Sequence, residues 1–465
     1  MTAREGEGRG PARFLVACWP FSGHVNPSMA LALELRQRGH EVAIYTGHRA
    51  RAAIEGEGFR HFPFQDVDEA RLFDLVYPSG RVLRAWRHPG RFVSVLEDWL
   101  VGTIPDQIRD LEHVLDAWRA DAVISDVSMW GPPLVLHEQR GLPVAVSSYA
   151  PGCMIPGPGL PPWGLGLPRP RSWTTRALSW AVGLLTRAQV AGLRRHVDAV
   201  RARYRLPAID APVHAFLGRL PLYLVPSTPE LDYPRHDLPP SVHYVGPLIW
   251  NRPSREPPPP WLTQLSRDRP LVHVSEGTMH GARPFLLDAT VRGLGGSAMQ
   301  VVMTSGDRDP GALGLGPLPD NVRLERWVPH ADLLPLTDVV VTTGGAGVVL
   351  TALQAGVPMV VVPTEWDKPD NAQRVVEAGA GLRLSVGRCT PARLRRSVER
   401  VLREPSFRSR AQRLRECLRE RGGPKRAADL LEALCGVRDG ASPWAPRPSV
   451  VGPDPSPVPV ASRSC

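Results

Sequence analysis

The residues between Trp327 and Asn371 could together bind a nucleotide-containing ligand. Trp327 offers a flat aromatic face on which a base could stack. An apolar run at 338–341 leads into the glycine-rich turn 344–347 and then into a helical pattern. A helix N-terminus behind such a turn presents unpaired N–H groups and a positive dipole end to an anion. The stretch therefore predicts a site for a base and a diphosphate.

A second apolar run, 359–362, brings polar side chains to the same place. Gly356 and Pro358 end the helical pattern before this run, and Asp367 and Lys368 follow it. Ligands of open α/β sheets bind at the carboxyl ends of the strands. We therefore expect these polar side chains to contact a hydroxylated group beside the diphosphate.

Two hydroxyl side chains lie at the end of an earlier apolar run, 271–275. Ser275 is the last residue of the run, and Thr278 follows Gly277 three residues later. The glycine permits close approach of the backbone to a ligand, and the Thr278 hydroxyl can donate to a phosphate oxygen. Both hydroxyls join the candidate diphosphate site.

The first half of the chain contributes a candidate acid–base pair. His24 lies in a loop predicted between a strand at 14–19 and a helix at 27–37, and Asp126 follows a strand predicted at 122–125. A carboxylate bonded to one imidazole nitrogen fixes the tautomer, so that the other nitrogen can accept a proton. Two other interpretations stay open: Asp126 caps the next helix, and the histidine is an ordinary loop residue.

Strands and helices alternate in both halves of the sequence. Strand–helix–strand patterns occur at 14–45 and 122–147, and further strands are predicted at 271–275, 300–304 and 322–325. This alternation with short connections is typical of parallel sheets covered by helices. We predict two doubly wound α/β domains.

The chain of 465 residues is too long for one ordinary core. We predict an N-terminal domain at 13–250, a proline-rich linker at 251–262 and a C-terminal domain at 263–436. The remainder, 437–465, is rich in proline and serine, which predicts a disordered tail.

The formal net charge of +10 could attract nucleic acid, anionic lipid or an anionic substrate. No nucleic-acid-binding motif accompanies the charge, so we expect no nucleic-acid partner. The six cysteines show no metal-ligand spacing, and we find neither a secretory signal nor an apolar segment of membrane-spanning length. A cytoplasmic location with free thiols is the simplest interpretation.

A long helical pattern at 174–204 is dotted with arginines and carries the apolar residues Trp173, Trp180, Leu184 and Leu185. We expect a surface helix that covers the sheet. Contact with a membrane surface is the alternative for such a basic amphipathic helix.

Five motifs together resemble the UDP-glycosyltransferase superfamily, and most of all its bacterial natural-product (macrolide-type) branch. They are G-H-V-N-P at 23–27, Trp327-x-Pro329, the G-G-x-G turn at 344–347, A-G-V-P at 355–358 and Pro363-x-x-x-Asp367. The resemblance covers about 14–434. It implies a GT-B fold, in which two Rossmann-like domains face each other across a cleft, with the acceptor in the first domain and the sugar nucleotide in the second.

The resemblance also implies an inverting glycosyltransferase that moves a sugar from a dTDP- or UDP-sugar to a hydroxyl of a hydrophobic small molecule. It implies no cofactor beyond this nucleotide-sugar co-substrate. His24 matches the catalytic base and Asp126 its partner. The donor-binding residues that we predict are Ser275, Thr278, Trp327, Thr343, Gly344, Gly345, Gly347, Thr351, Asp367 and Lys368.

Two positions depart from the family pattern. Thr343 stands where many relatives carry a histidine on the diphosphate, and Thr351 where many carry a glutamate that binds both ribose hydroxyls. Because dTDP lacks the 2′-hydroxyl, we hypothesise a tolerance of dTDP-sugars or a preference for them over UDP-sugars.

Several alternatives compete with this function. The D-x-D tripeptides at 66–68 and 307–309 could hold a metal ion, but neither sits in the strand-end context that this role needs, and we predict metal-independent transfer. A nicotinamide-dependent oxidoreductase lacks support because the first turn has no G-x-G-x-x-G. A sugar-nucleotide epimerase and a catalytically silent partner of another transferase remain as rivals.

The apolar segments 62–99 and 154–180 are expected to form the acceptor cleft.

Overall fold

The computed structural model describes residues 10–76, 94–157, 159–209, 220–252, 257, 259–281, 283–306 and 308–436. These residues form two sheets in which every paired strand is parallel to its neighbour. The prediction of two doubly wound α/β domains is confirmed.

The first sheet has seven strands in the order β3-β2-β1-β4-β5-β6-β7. They are β1 (Arg13–Ala17), β2 (Glu41–Thr46), β3 (Arg60–Pro63), β4 (Ala122–Asp126), β5 (Val144–Ser147), β6 (Leu222–Val225) and β7 (Val242–Tyr244). The described helices of this half are α1 (Ser22–Gln37), α2 (Arg51–Gly56), α3 (Glu69–Val76), α4 (Ile104–Ala117), α5 (Gly131–Arg140) and α6 (Trp173–Arg203).

The second sheet has six strands in the order β10-β9-β8-β11-β12-β13. They are β8 (Leu271–Ser275), β9 (Gln300–Thr304), β10 (Val322–Glu325), β11 (Val339–Thr342), β12 (Met359–Val361) and β13 (Gly381–Arg383). The helices described here are α7 (Phe285–Leu294), α8 (His330–Leu333), α9 (Ala346–Gln354), α10 (Lys368–Glu377), α11 (Pro391–Arg403), α12 (Pro405–Glu420) and α13 (Pro424–Leu434).

Both sheets are buried on their two faces. In β1, Phe14 and Val16 pack into one cluster of apolar side chains, whereas Leu15 and Ala17 pack into another on the opposite face. Strands that are buried on both sides read as continuous apolar runs, which is why the sequence marks them clearly. The cores therefore sit above and below each sheet, and the strand ends are left for ligands.

Each sheet changes direction at its first strand. The chain runs β1-β2-β3 to one side and then places β4 on the other side of β1; in the second sheet β11 likewise lies on the far side of β8. Open α/β sheets bind ligands at the carboxyl ends of the strands at such a switch point. The β1/β4 and β8/β11 switch points are therefore where the two half-sites are expected.

The last helix, α13, packs on the first domain. Its Ala427 and Leu431 belong to the same apolar cluster as Phe14. Arg38, which follows α1, forms an ion pair of 2.8 Å with Asp429. The helix lies inside the predicted range 263–436 in sequence, but its apolar side completes the N-terminal core.

The predicted linker at 251–262 lies only partly in the structure, because 253–256 and 258 fall outside the described residues. Residues Pro260–Gln264 form a short 3₁₀ turn. Residues 77–93 of the predicted acceptor cleft and the predicted tail at 437–465 also lie outside the described residues, and the domain limits stay predictions. Within the part of the chain that the structure describes, no helix is both long and apolar enough to cross a membrane.

Candidate active site

His24 lies in the first turn of α1 and not in a loop, because this helix begins at Ser22. The prediction of a helix start near Pro27 was therefore wrong. The backbone N–H groups of His24 and Val25 both donate to the carbonyl of Phe21, at 2.8 and 2.9 Å, and close the turn ahead of the proline. Proline removes one backbone donor, and here α1 continues through it.

His24 and Asp126 meet at the first switch point. His24 Nδ1 lies 2.7 Å from Asp126 Oδ2, and the two residues are only 8% and 4% exposed. A carboxylate can only accept, so Nδ1 donates, which leaves the lone pair on Nε2. The other carboxylate oxygen accepts the backbone N–H of Ser128 at 2.7 Å. The N-cap of α5 is Trp130, so the alternative that Asp126 caps this helix is wrong.

Aromatic rings surround the imidazole. The ring of Tyr149 lies 4.2 Å from that of His24, and the ring of Phe21 lies 5.7 Å from it, measured between centroids. Burial raises the pKa of the Tyr149 phenol well above its ordinary value, and the charges of Asp367 and Asp126 raise it further. Sequence reasoning missed Tyr149, for which the only signal was its place just after a buried strand.

Asp367, in the second domain, is the N-cap residue of α10. Burial raises the pKa of its carboxyl, whereas the hydrogen bond from Asn371 and the positive charge of Lys368 lower it. This carboxylate directly follows Trp366, which contacts the first domain.

Trp366 connects the two domains beside this carboxylate. Its ring meets Trp99 of the first domain edge-on at 5.6 Å. Its backbone is left-handed, with φ +61°, a region that a bulky residue adopts only when its surroundings impose it. No local sequence pattern predicts this conformation, which fixes the direction in which the chain enters α10 at Asp367.

The glycine-rich turn forms the second switch point. Gly344 has φ +89°, and a Cβ on it would lie 2.7 Å from Val361 Cγ1. Gly345 is the N-cap of α9, and no side chain caps this helix. Space beside Gly345 and Gly347 is open within 4 Å of where a Cβ would lie. The turn can therefore present the first N–H groups of α9 to an anion.

The two threonines that depart from the family pattern both donate their hydroxyl protons to backbone carbonyls of the protein. Thr343 is buried, and its hydroxyl donates to the carbonyl of Glu276 at 2.9 Å. Thr351 is half-buried and donates to the carbonyl of Gly347 at 2.6 Å. Both oxygens keep the capacity to accept a hydrogen bond, but neither hydroxyl is a spare donor to phosphate.

Lys368 holds the two donor-side loops together. Its buried ammonium donates to the carbonyl of Met279 at 2.8 Å and to the Thr364 hydroxyl at 2.9 Å. It also forms an ion pair of 3.2 Å with Glu365. These contacts join the loop after β8 to the loop after β12, so the residue fixes the shape of the site.

The remaining predicted donor residues lie at neighbouring strand ends. Ser275 is buried and its hydroxyl accepts the N–H of Gly277 at 3.2 Å, whereas Thr278 is exposed. Trp327, just after β10, is 50% exposed. An exposed face of this size leaves room for a base to stack.

An ion pair beneath this site was not predicted. Glu276 is buried; it accepts the N–H of Leu286 at 2.8 Å and pairs with Arg308 at 2.6 Å. Nη1 of Arg308 is buried without a hydrogen-bond partner among the described residues. In the sequence, Arg308 stands out only as the middle of a D-x-D pattern.

The D-x-D carboxylates have other partners where they are described. Asp66 pairs with Arg109, Asp68 accepts the N–H of Arg71, and Asp309 accepts that of Gly311. Within the described ranges, no group of three or more histidine, cysteine, aspartate or glutamate side chains could hold a metal ion.

Sequence comparisons place these features in a family. Residues 296–434 match the model of the erythromycin biosynthesis protein CIII-like C-terminal domain. The chain is 38% identical over 430 residues to 4′-demethylrebeccamycin synthase of Lentzea aerocolonigenes, covering 91% of this chain and 99% of that one. It is 31% identical over 432 residues to demethyllactenocin mycarosyltransferase of Streptomyces fradiae, covering 89% and 85%.

Solved structures agree with these relatives. The calicheamicin glycosyltransferase superposes with a TM-score of 0.69 at 25% identity, over 92% of this chain and 99% of that one. The glycotransferase of kitacinnamycin superposes with a TM-score of 0.68 at 26% identity, over 91% and 98%. The fold is GT-B, as predicted, and the chain belongs to the bacterial natural-product glycosyltransferases.

Proposed function

We propose that this glycosyltransferase inverts the anomeric carbon as it moves a sugar from a nucleotide-sugar to a hydroxyl of a hydrophobic natural product. The observation that carries this proposal is the buried 2.7 Å contact between His24 and Asp126 at the first switch point. The ring contact of 5.6 Å between Trp99 of the first domain and Trp366, which precedes Asp367, supports a single reaction site shared by both domains.

In the proposed step, Nε2 of His24 takes the proton of the acceptor hydroxyl. The acceptor oxygen forms a bond to the anomeric carbon, and the bond from that carbon to the diphosphate breaks. The nucleoside diphosphate leaves with the electron pair. Attack from the face opposite the leaving group inverts the configuration. Asp126 stabilises the imidazolium that the proton transfer creates.

The leaving diphosphate would be stabilised by the N-terminus of α9. Aligned backbone dipoles and unpaired N–H groups favour an anion there without a metal ion. The Glu276 carboxylate takes up part of the Arg308 charge, so the backbone supplies most of the stabilisation. We propose that no metal or other cofactor takes part, and activity that is unchanged in excess chelator would support this.

The donor is proposed to be a dTDP-sugar in preference to a UDP-sugar. Thr351 already donates to Gly347, so its oxygen can only accept, and it can serve one ribose hydroxyl. A carboxylate at this position would serve two. Calorimetric titration with dTDP and UDP tests the preference, and clearly tighter UDP binding would refute it.

The acceptor is proposed to be an apolar, ring-containing molecule. Phe21 and Tyr149 flank the imidazole, and Trp99 lies 6.0 Å from Phe21. Aromatic walls with few polar groups are typical of sites for such ligands. The names of both relatives refer to natural products, which supports the same class of acceptor for this chain.

The decisive experiment incubates the enzyme with dTDP- or UDP-sugars of known anomeric configuration and a panel of hydroxylated polycyclic acceptors. Mass spectrometry detects the glycoside, and the proton coupling constant of its anomeric carbon reports the configuration. We expect an inverted glycoside. A retained configuration would refute the mechanism, an isomerised donor without acceptor would indicate an epimerase, and activity only beside a second transferase would indicate a silent partner.

A further inference from the structure

Helix α6 turns part of its apolar surface towards solvent. Trp173 is 80% exposed and Trp180 is 63% exposed, and Leu184 is exposed as well. The helix was expected at the surface, covering the sheet, and these three residues take no part in that packing. They are spaced by seven and four residues, which places them on one side of a helix. We call this stripe of three residues the outer face.

The opposite side of α6 is fixed to the protein. Val197 and Val200 pack into the apolar clusters of the first domain, and Arg201 forms hydrogen bonds of 3.1 and 2.8 Å with Glu138. At the other end, a capping box of Ser172 and Thr175 begins the helix. The C-terminal end of α6 is thus held on the first domain, and its N-terminal half carries the exposed apolar side chains.

Arginine predominates among the charged residues of this part of the chain. Residues 139–197 contain seven arginines and no aspartate or glutamate. Arg176 and Arg195 are both exposed on α6, and helical spacing places Arg195 on the same side as Trp173 and Leu184. Exposed tryptophan next to arginine is the composition of helices that lie in the interface of an anionic membrane.

A second copy of this chain fits the outer face less well. A two-fold symmetric contact would bring the same surface of two molecules together and place arginines opposite arginines. The acidic side chains on and beside this helix already have partners in the same molecule, since Asp198 pairs with Arg194 and Glu97 with His196. An anionic lipid surface offers both the apolar depth for the two tryptophans and the negative charge for the arginines.

We propose that the outer face of α6 docks the enzyme reversibly on an anionic membrane surface. Trp173, Trp180 and Leu184 enter the headgroup boundary, and Arg176 and Arg195 contact lipid phosphates. This contact is independent of the transfer reaction, since it involves neither the His24–Asp126 pair nor the donor residues.

Sedimentation of the full-length protein with vesicles tests this proposal. One set consists of phosphatidylcholine alone and the other of phosphatidylcholine mixed with phosphatidylglycerol. We expect binding to the mixed vesicles that weakens with salt. The variant W173S/W180S should bind about tenfold less, because two interfacial anchors are lost. The variant R176Q/R195Q should lose the preference for the anionic vesicles.

Trp327→Ser is the matched control, because it removes an exposed tryptophan from the other domain; its vesicle binding should equal that of the unmodified protein. Unchanged nucleotide binding by W173S/W180S shows that this variant is folded. Equal sedimentation of this variant and the unmodified protein, or no sedimentation of either, would overturn the proposal. In the case where the unmodified protein binds no vesicles, W173S/W180S is measured in two further ways. A change in molecular mass by light scattering would assign the outer face to self-association, and a raised KM for the acceptor would assign it to acceptor binding.

Discussion

The two domains share one topology but place different chemical groups at its switch point. At the β1/β4 switch point, the groups placed for chemistry are side chains: His24 and Asp126, buried and 2.7 Å apart. At the β8/β11 switch point, the side chain of Thr343 bonds internally to Glu276, and the backbone around Gly344 is what remains available. The same position in the fold thus carries a titratable pair in one domain and a glycine turn in the other.

The difference follows from what each half-site is proposed to do. Moving a proton requires a group that changes its charge during the reaction, and only a side chain can do this. Stabilising a leaving diphosphate requires dipoles that are already oriented, which a helix N-terminus supplies. We therefore expect substitutions at the first switch point to lower kcat and those at the second to weaken nucleotide binding.

The largest effect is expected for His24→Ala. Loss of the proposed base should lower kcat by about 10³-fold, within the range for removed general bases, and leave the dissociation constant for the nucleotide unchanged. Single-turnover kinetics and calorimetry measure the two quantities. His48→Ala, at an exposed histidine after β2, is the control. A nucleotide affinity that falls as steeply as kcat would contradict the division between the two half-sites.

Asp126→Asn should follow with a loss of about 10²-fold in kcat, because an amide can hold the imidazole in the wrong tautomer. Asp121→Asn makes the same change just before β4, where the carboxylate accepts the N–H of Arg13, and should leave kcat near that of the unmodified enzyme. Equal kcat values for the two variants would show that Asp126 has only a structural role.

Gly344→Ala should weaken nucleotide binding by about tenfold or more, since a side chain at positive φ costs of order 1–3 kcal/mol even before the contact with Val361. Gly345→Ala is matched to it, because that residue has φ −57° and open space around a Cβ. Calorimetry on both variants measures the difference. Similar affinities in the two would mean that the turn is not the diphosphate site.

Thr351→Glu should have the smallest effect and the most specific one. A carboxylate that accepts from both ribose hydroxyls should raise the affinity for UDP relative to dTDP by about fivefold, since one additional hydrogen bond contributes about 1 kcal/mol net. Competition between the two nucleotides gives the ratio directly. Thr351→Gln is the uncharged control. If the ratio does not move, this position does not contact the ribose.

The elements that the sequence predicted well are those buried on both sides. Strand β4 was expected at 122–125 and is found at Ala122–Asp126, because a continuous apolar run of this length between polar residues is typical of a buried parallel strand. The start of α1 was missed. Pro27 suggested a first turn, but contacts with Phe21 and Asp126 extend the helix back to Ser22.

The parts of the site that escaped prediction depend on contacts between distant residues. The pairing of Glu276 with Arg308 requires the register of two adjacent strands, and no local pattern predicts it. The ring of Tyr149 joins the site only when β5 lies beside β4. Helical periodicity predicts that Trp173 lies in an apolar stripe along α6, but it does not predict whether that stripe faces the protein or the solvent. The stripe faces the solvent because the other side of the helix packs on the first domain.

The packing of α13 makes the first domain discontinuous in sequence. Just before this helix, the N–H of Gly423 donates to the carbonyl of Val245, so the chain returns to the first domain where it had left it. In a chimaera of two relatives joined only at the linker, the first domain would come from one relative and the last helix from the other. Phe14 and its neighbours would then pack against that other helix and not against Ala427 and Leu431. Exchanging donor specificity between relatives therefore calls for two junctions, one in the linker and one before Pro424.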